Sequence, residues 1–162
     1  MAATIQTQND MAGLAGAQLI PLLNARLADA VDLMTQAKQA HWNVKGPHFA
    51  GLHVLFDEVA GALYGYVDTI AERAVQLGGT AEGTAHQAAR NSSLDEYPAV
   101  VTGRDHCEAL SAGLAAFGGR LRQGIAQANT LNDADTADLF TEVSRGVDKW
   151  LWFVEAHLQA AD

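Results

Sequence analysis

The chain has 162 residues, 49% of them hydrophobic, with three prolines and 19 acidic against ten basic residues, for a formal net charge of −9. That length suits one domain able to bury a continuous core, and the mixture favours a helical globular protein over a disordered chain or a β-sandwich. The acid excess argues against a general nucleic-acid binder, which normally carries a basic face or tail, and favours attraction of cations.

In chain order, residues 1–12 hold no basic residue and are expected to form a flexible tail, followed by a bundle over residues 13–160. With no Lys or Arg before Arg26 the N-terminus lacks the charged start of a signal peptide. No apolar run approaches the ~18–20 residues that would span a bilayer. A cytoplasmic location without a membrane partner is the expectation.

Four segments repeat with the helical period and none alternates as a strand does. The first, about 13–43, carries Leu23, Leu27, Val31 and Met34. The second, about 48–77, carries Leu52, Phe56, Val59, Leu63, Tyr66 and Ile70. The third, about 104–128, carries Leu110, Leu114, Phe117, Leu121 and Ile125. The fourth, about 134–159, carries Leu139, Val143, Val147, Trp150, Val154 and Leu158. Gly46-Pro47 predicts a tight turn after the first helix, and Gly78-Gly79 stops the second. A polar stretch to about residue 103 is too long for an ordinary loop and predicts a crossover that leaves helices two and three parallel. Within it, SSLDEYP (Ser92 to Pro98) carries a capping-box spacing and predicts a short extra helix. Asn132 or Asp133 is expected to cap the fourth helix. Two hairpins joined by one long crossover make a ferritin-like, all-α four-helix bundle. The single cysteine, Cys107, excludes an internal disulfide and reads as a buried, inert thiol.

The second helix carries the chemistry. His53 with Asp57, and Asp68 with Glu72, are i,i+4 pairs that lie one above the other on a helix. At 100° per residue from His53, Asp57 falls near ~40°, Asp68 near ~60° and Glu72 near ~100°, whereas the apolar set centres near ~270°. The ligand face therefore points away from the subunit's own core. Asp57 and Asp68 are separated by roughly 16 Å along the axis, so the two pairs cannot share an ion within one chain. An antiparallel copy related by a two-fold axis near residues 62–63 would bring them level, with Gly61 and Gly65 allowing close approach. His41 and His53 stand six residues to either side of the Gly46-Pro47 turn, at similar height in a hairpin. Two imidazoles and three carboxylates form a mixed N/O set suited to first-row metals, and to iron redox chemistry more than to a structural zinc site. A lone HxxxD or DxxxE pair is commonly solvated surface; two pairs on one face, with dyad-compatible spacing and a level third histidine, are harder to assign to surface alone.

At these residues the sequence resembles the Dps family (DNA-binding protein from starved cells, or mini-ferritins). The likeness rests on AKQAHWNVKGPHFAGLHVLFDE (Ala37 to Glu58), DTIAERAVQLGG (Asp68 to Gly79), SSLDEYP, and DADTADLF through DKWLWFVE (Asp133 to Glu155), and it covers about residues 15–158. It implies a homododecameric shell that stores ferric iron, with two-iron ferroxidase centres at two-fold interfaces, able at rest to hold one iron or a zinc. Hydrogen peroxide is the oxidant the resemblance implies, so that both reactants of Fenton chemistry are removed. His41, His53, Asp57, Asp68 and Glu72 become the metal-binding and catalytic residues, with Trp42, Trp152, Arg73 and Lys38 around them; Arg73 is expected to brace a neighbouring carboxylate or interface pair, with a surface salt bridge as the alternative. Trp42 and Trp152 match aromatic residues that take up stray oxidising equivalents; plain core packing is the competing reading. Asp138, Glu142 and Asp133 match acidic iron-entry pores at three-fold axes, although helix capping and complementing the helix dipole account for such acids equally well. His48, His86, His106 and His157 look ordinary. DNA binding and a nucleoid location are the family's other property, which basic tails support; residues 1–12 have none, and the C-terminus ends Ala-Ala-Asp. A structural nucleoid protein with a vestigial metal site is the alternative to a ferroxidase.

Overall fold

A computed structural model of the protein describes residues 5–159. Five α-helices follow one another: α1 (Leu14–Asn43), α2 (Phe49–Gln76), α3 (Ala85–Asn91), α4 (Gly103–Thr130) and α5 (Ala134–Glu155). The four long ones bury a stripe of Leu, Val and Phe against one another, with Phe56, Phe117 and Phe140 fully enclosed. Truncating any of these rings to Ala costs about 3–5 kcal/mol.

Cross-helix contacts give the topology. His41 lies beside His53 and Lys38 beside Asp57, so α1 and α2 run antiparallel. The Arg26 guanidinium reaches the Arg120 carbonyl, and Leu33 packs where a Cβ on Gly113 would sit, so α1 and α4 also run antiparallel. Helices α2 and α4 are therefore parallel, as a long crossover requires, and the fold is the ferritin-like bundle expected.

The helix ends follow from local chemistry. After α2, Gly79 N–H donates to the Ala74 carbonyl and Gly78 N–H to that of Val75, with Gly78 at φ 86°. This is the Schellman arrangement, in which a glycine takes the left-handed position at least cost. After α4 the same pattern recurs with Asn132 at φ 58°. Of the two candidate caps for α5 the structure selects Asp133, whose carboxylate accepts the Thr136 N–H, while Asn132 makes the turn.

One expectation is corrected. The short helix of the crossover is not SSLDEYP but the preceding Ala85–Asn91, capped by a reciprocal Thr84–Gln87 box. Ser92 and Ser93 are instead drawn onto α1, the Ser92 hydroxyl donating to Asp32 (2.6 Å) and the Ser93 N–H to the buried Asp29 (2.7 Å). Those tertiary bonds capture the groups that capping would use. Within the segment expected as a tail over residues 1–12, Ile5 N–H donates to the Gly78 carbonyl, and Asp10–Ala12 form a 3₁₀ turn capped by Asn9. Residues 1–4 of that tail lie outside the described residues. Among the described residues, no helix is long and apolar enough to cross a membrane.

Candidate metal centre

His41 lies in the last turn of α1, where carbonyls lose their i+4 donors. The Lys45 N–H that would have bonded His41 goes to Val101 instead, leaving the His41 carbonyl available. His53, one turn into α2, takes it: its Nδ1 lies 2.8 Å from that oxygen, and His41 Nδ1 lies 2.7 Å from the His53 carbonyl. A carbonyl only accepts, so each Nδ1 carries the proton. In the neutral rings both Nε2 atoms are left with a free lone pair. The rings stack with centroids 3.7 Å apart and planes 21° from parallel. Fixing the tautomer and tilt of a histidine through its other nitrogen is how proteins prepare this side chain as a metal donor.

Asp57 lies one turn further along α2, on the exposed side. Its Oδ1 accepts from the Lys38 ammonium at 2.6 Å, and Lys38 itself sits one turn before His41 on α1. The hairpin thus presents two rungs, the imidazole pair and the ammonium–carboxylate pair. The Lys38 hydrogen bond holds the Asp57 carboxyl below its ordinary value against the raising effect of burial, and the Lys38 charge and the two nearby imidazoles add smaller lowering effects. Asp68 and Glu72 lie about three and four turns beyond Asp57 on the same helix, both exposed. Between the two pairs the outer surface of α2 holds Gly61, Tyr64 and Gly65, and a Cβ on either glycine would meet nothing within 4 Å.

Among the described residues of one chain, no three His, Cys, Asp or Glu side chains converge closely enough to hold a metal ion. The donors themselves fit a borderline-hard cation, with two imidazole Nε2 atoms and carboxylates on one solvent-facing surface. Trp42 and Trp152 are 67% and 62% exposed, so core packing within the chain is not their role. Lys38 Nζ stands 5.6 Å from the Trp42 ring centroid.

Arg73 does not join this surface. It is buried and faces α5, donating two bonds of 2.9 Å to the Asp133 carboxylate and one of 2.9 Å to the Thr136 hydroxyl. Asp133 is 1% exposed. Burial alone would raise its carboxyl, but the Thr136 N–H and hydroxyl together with Arg73 hold it below the ordinary value. Both its oxygens are consumed by the cap and the ion pair, so within the chain it closes the α4–α5 corner rather than facing solvent. The Asp-x-x-Thr spacing of an N-cap carried that signal in the sequence. Asp138 and Glu142 are exposed one turn apart on α5.

His48, His86 and His157 are exposed. His106 is not ordinary: it is 1% exposed, its Nδ1 lies 2.7 Å from the Tyr97 hydroxyl, and among the described residues its Nε2 has no hydrogen-bond partner. Burial lowers its pKa, against smaller raising effects of the Asn43 backbone and Asp105. Cys107 beside it is buried and its thiol is pushed up to about 11, chiefly by burial, which leaves it inert.

The fold and this surface define a ferritin-like bundle, and residues 20–162 match the model of the ferritin-like domain family. The DNA protection during starvation protein of Agrobacterium fabrum is 42% identical over 96% of this chain and 97% of its own. Dps A14 of Streptomyces coelicolor superposes with a TM-score of 0.90 at 30% identity, over 99% of this chain and 96% of that one. A Microbacterium arborescens Dps solved in a high-iron form gives 0.85 at 31% identity, over 95% of this chain and 99% of that one. The chain belongs to the Dps proteins of the ferritin-like family.

Proposed function

We propose that the protein is an iron-sequestering mini-ferritin that oxidises Fe(II) at sites shared between two copies of the chain and stores the Fe(III) inside a homododecameric shell. Family membership supports a role in iron storage and DNA protection in general; the finer reading rests on the hairpin of α1 and α2. The observation that carries it is the reciprocally bonded His41–His53 pair, whose Nε2 atoms are set free beside Asp57 on an unpartnered face.

In this reading His41, His53 and Asp57 of one subunit meet Asp68 and Glu72 of a two-fold partner. The axis passes near Ala62, where Gly61 and Gly65 let two α2 helices approach. Ferrous ions are substrate here. Two of them give up one electron each, and hydrogen peroxide takes both electrons and two protons to leave two waters; dioxygen is the other oxidant to compare. The carboxylates favour the more highly charged ferric product, and the fixed imidazoles hold the ions without reorganising. Trp42 and Trp152, exposed on the single chain, would then line the interface and absorb stray oxidising equivalents. Asp138 and Glu142 are the residues proposed for the entry pore. Asp133, tied to Arg73, supports that corner of the fold.

Binding and compaction of DNA is the weaker reading. Of the ten basic residues, Arg26, Lys38, Arg73, Arg104 and Arg122 are bonded to carboxylates of the same chain, which leaves half of an already small set of cations for phosphates. Anaerobic Fe(II) titration followed by peroxide, on the native protein and a His53→Ala/Asp57→Ala variant, tests the proposal. Native protein should oxidise iron and the variant should lose most of that rate. Equal rates would remove the site. Salt-sensitive retardation of DNA with no iron oxidation would favour the alternative.

A further inference from the structure

We infer that Lys38 is a placeholder cation: its ammonium occupies the Asp57 carboxylate and has to leave before a metal ion can use that carboxylate, so Lys38 sets how tightly the Asp57 end of the site binds. The inference rests on the proposed shared metal site and deepens it.

Three observations carry it. The Lys38–Asp57 bond is 2.6 Å and directed at one oxygen, Oδ1. The pair spans the same hairpin one rung from the stacked imidazoles, so an ion held between an Nε2 and Asp57 would lie within about a helical turn, ~5 Å, of the ammonium. Both partners remain accessible to solvent, with side chains 31% and 56% exposed, so the bond is exchangeable rather than locked. The buried pair of Arg73 on α2 with Asp133 at the start of α5 has none of this freedom.

The electrostatics set the sign. An ammonium beside a carboxylate lowers the field that the carboxylate offers an incoming cation. A divalent ion must either displace Lys38 or bear repulsion from it. Even at the dielectric of water, one unit charge about a turn away from a divalent ion corresponds to on the order of tenfold in affinity. The imidazole end carries no such competitor. The site is therefore built unequal, with Asp57 recruited only by ions that outcompete an ammonium. Monovalent ions, with half the charge, are excluded at that end.

Lys38 also stands 5.6 Å from the Trp42 ring, so its departure changes the surroundings of an indole. This gives a readout independent of turnover. Native assembly and Lys38→Met and Lys38→Arg variants, stripped with chelator, would be titrated with Co(II) and Zn(II) by calorimetry and by tryptophan emission. A Trp42→Phe control identifies the reporting ring. Native protein should show strong and weak binding steps per site, with a Trp42-dependent emission change on the weak one. Lys38→Met should tighten the weak step about tenfold or more and lose that emission change, while Lys38→Arg should stay near native. A weak step unchanged or loosened in Lys38→Met, with native binding intact, would overturn the placeholder and leave the shared site standing. Absence of both steps from native and variant proteins alike would overturn the two together.

Discussion

Helix α2 carries two cation–carboxylate pairs to its neighbours, and they are built in opposite ways. At its C-terminal end Arg73 is buried against Asp133 and Thr136, every oxygen of the carboxylate is satisfied, and the Asp133 oxygens also cap α5. Toward its N-terminal end Asp57 is exposed and bonded through one oxygen to a mobile-stemmed lysine, next to two imidazoles with spare lone pairs. A buried pair with no spare valence holds helices together. An exposed pair with spare valence has donors left for a ligand. The same residue types on one helix thus divide between architecture and chemistry, and burial decides which.

The largest expected effect tests the buried pair. Arg73→Ala leaves Asp133 inside without its counter-charge and should cost about 3–5 kcal/mol in urea unfolding. A double variant, Arg73→Met with Asp133→Asn, should recover part of that loss. A cost near zero for the single change would mean that the pair is not a structural tie.

Acid should reveal the next effect. Asp133 and His106 are both held below their ordinary values, so the folded state binds fewer protons than the unfolded one and stability falls as pH falls. The His106 share begins below about pH 6.5, and the Asp133 share below about pH 4. Around His106 the facing groups are the Tyr97 hydroxyl, the Asn43 backbone and Asp105. A His106→Leu variant should lose the upper part of the slope in a series of urea midpoints against pH, whatever its absolute stability. Retention of that upper slope would assign it to another group.

The smallest expected effects lie on the exposed side. Asp57→Asn should leave the unfolding midpoint unchanged and weaken Co(II) binding, which is the reverse of the Arg73→Ala pattern. Cys107 should resist thiol reagents in native protein and react once denaturant is added. Rapid native labelling would contradict its buried, inert placement.

Most of the frame was legible in the sequence because helical periodicity is local and repeated. The Gly78-Gly79 stop and the parallel placement of α2 and α4 followed from the same spacing. The height of His41 against His53 was arithmetic about a turn. What was not legible depends on contacts remote in sequence. Ser92 and Ser93 carried a capping signature that Asp29 and Asp32 override, whereas the Thr84–Gln87 box, equally plain, is the one used. Asp133 read as a candidate cap and as one of several acids opening a helix, and only its meeting with Arg73, 60 residues away, shows it to be internal. The reciprocal imidazole–carbonyl bonds and the Lys38 bridge likewise need the folded hairpin.

The central claim is that one chain supplies the imidazoles and its partner the second carboxylate pair. Co-assembly tests it most directly. A His41→Ala/His53→Ala variant and an Asp68→Ala/Glu72→Ala variant, each inactive alone, would be unfolded together, refolded as a mixture and assayed for Fe(II) oxidation. In a mixed two-fold pair one site keeps all its ligands and the other keeps only Asp57, and about half of randomly formed pairs are mixed. The shared site therefore predicts recovery of about a quarter of native activity per subunit. No recovery, from a mixture shown to have assembled, would contradict it and return the site to a single chain.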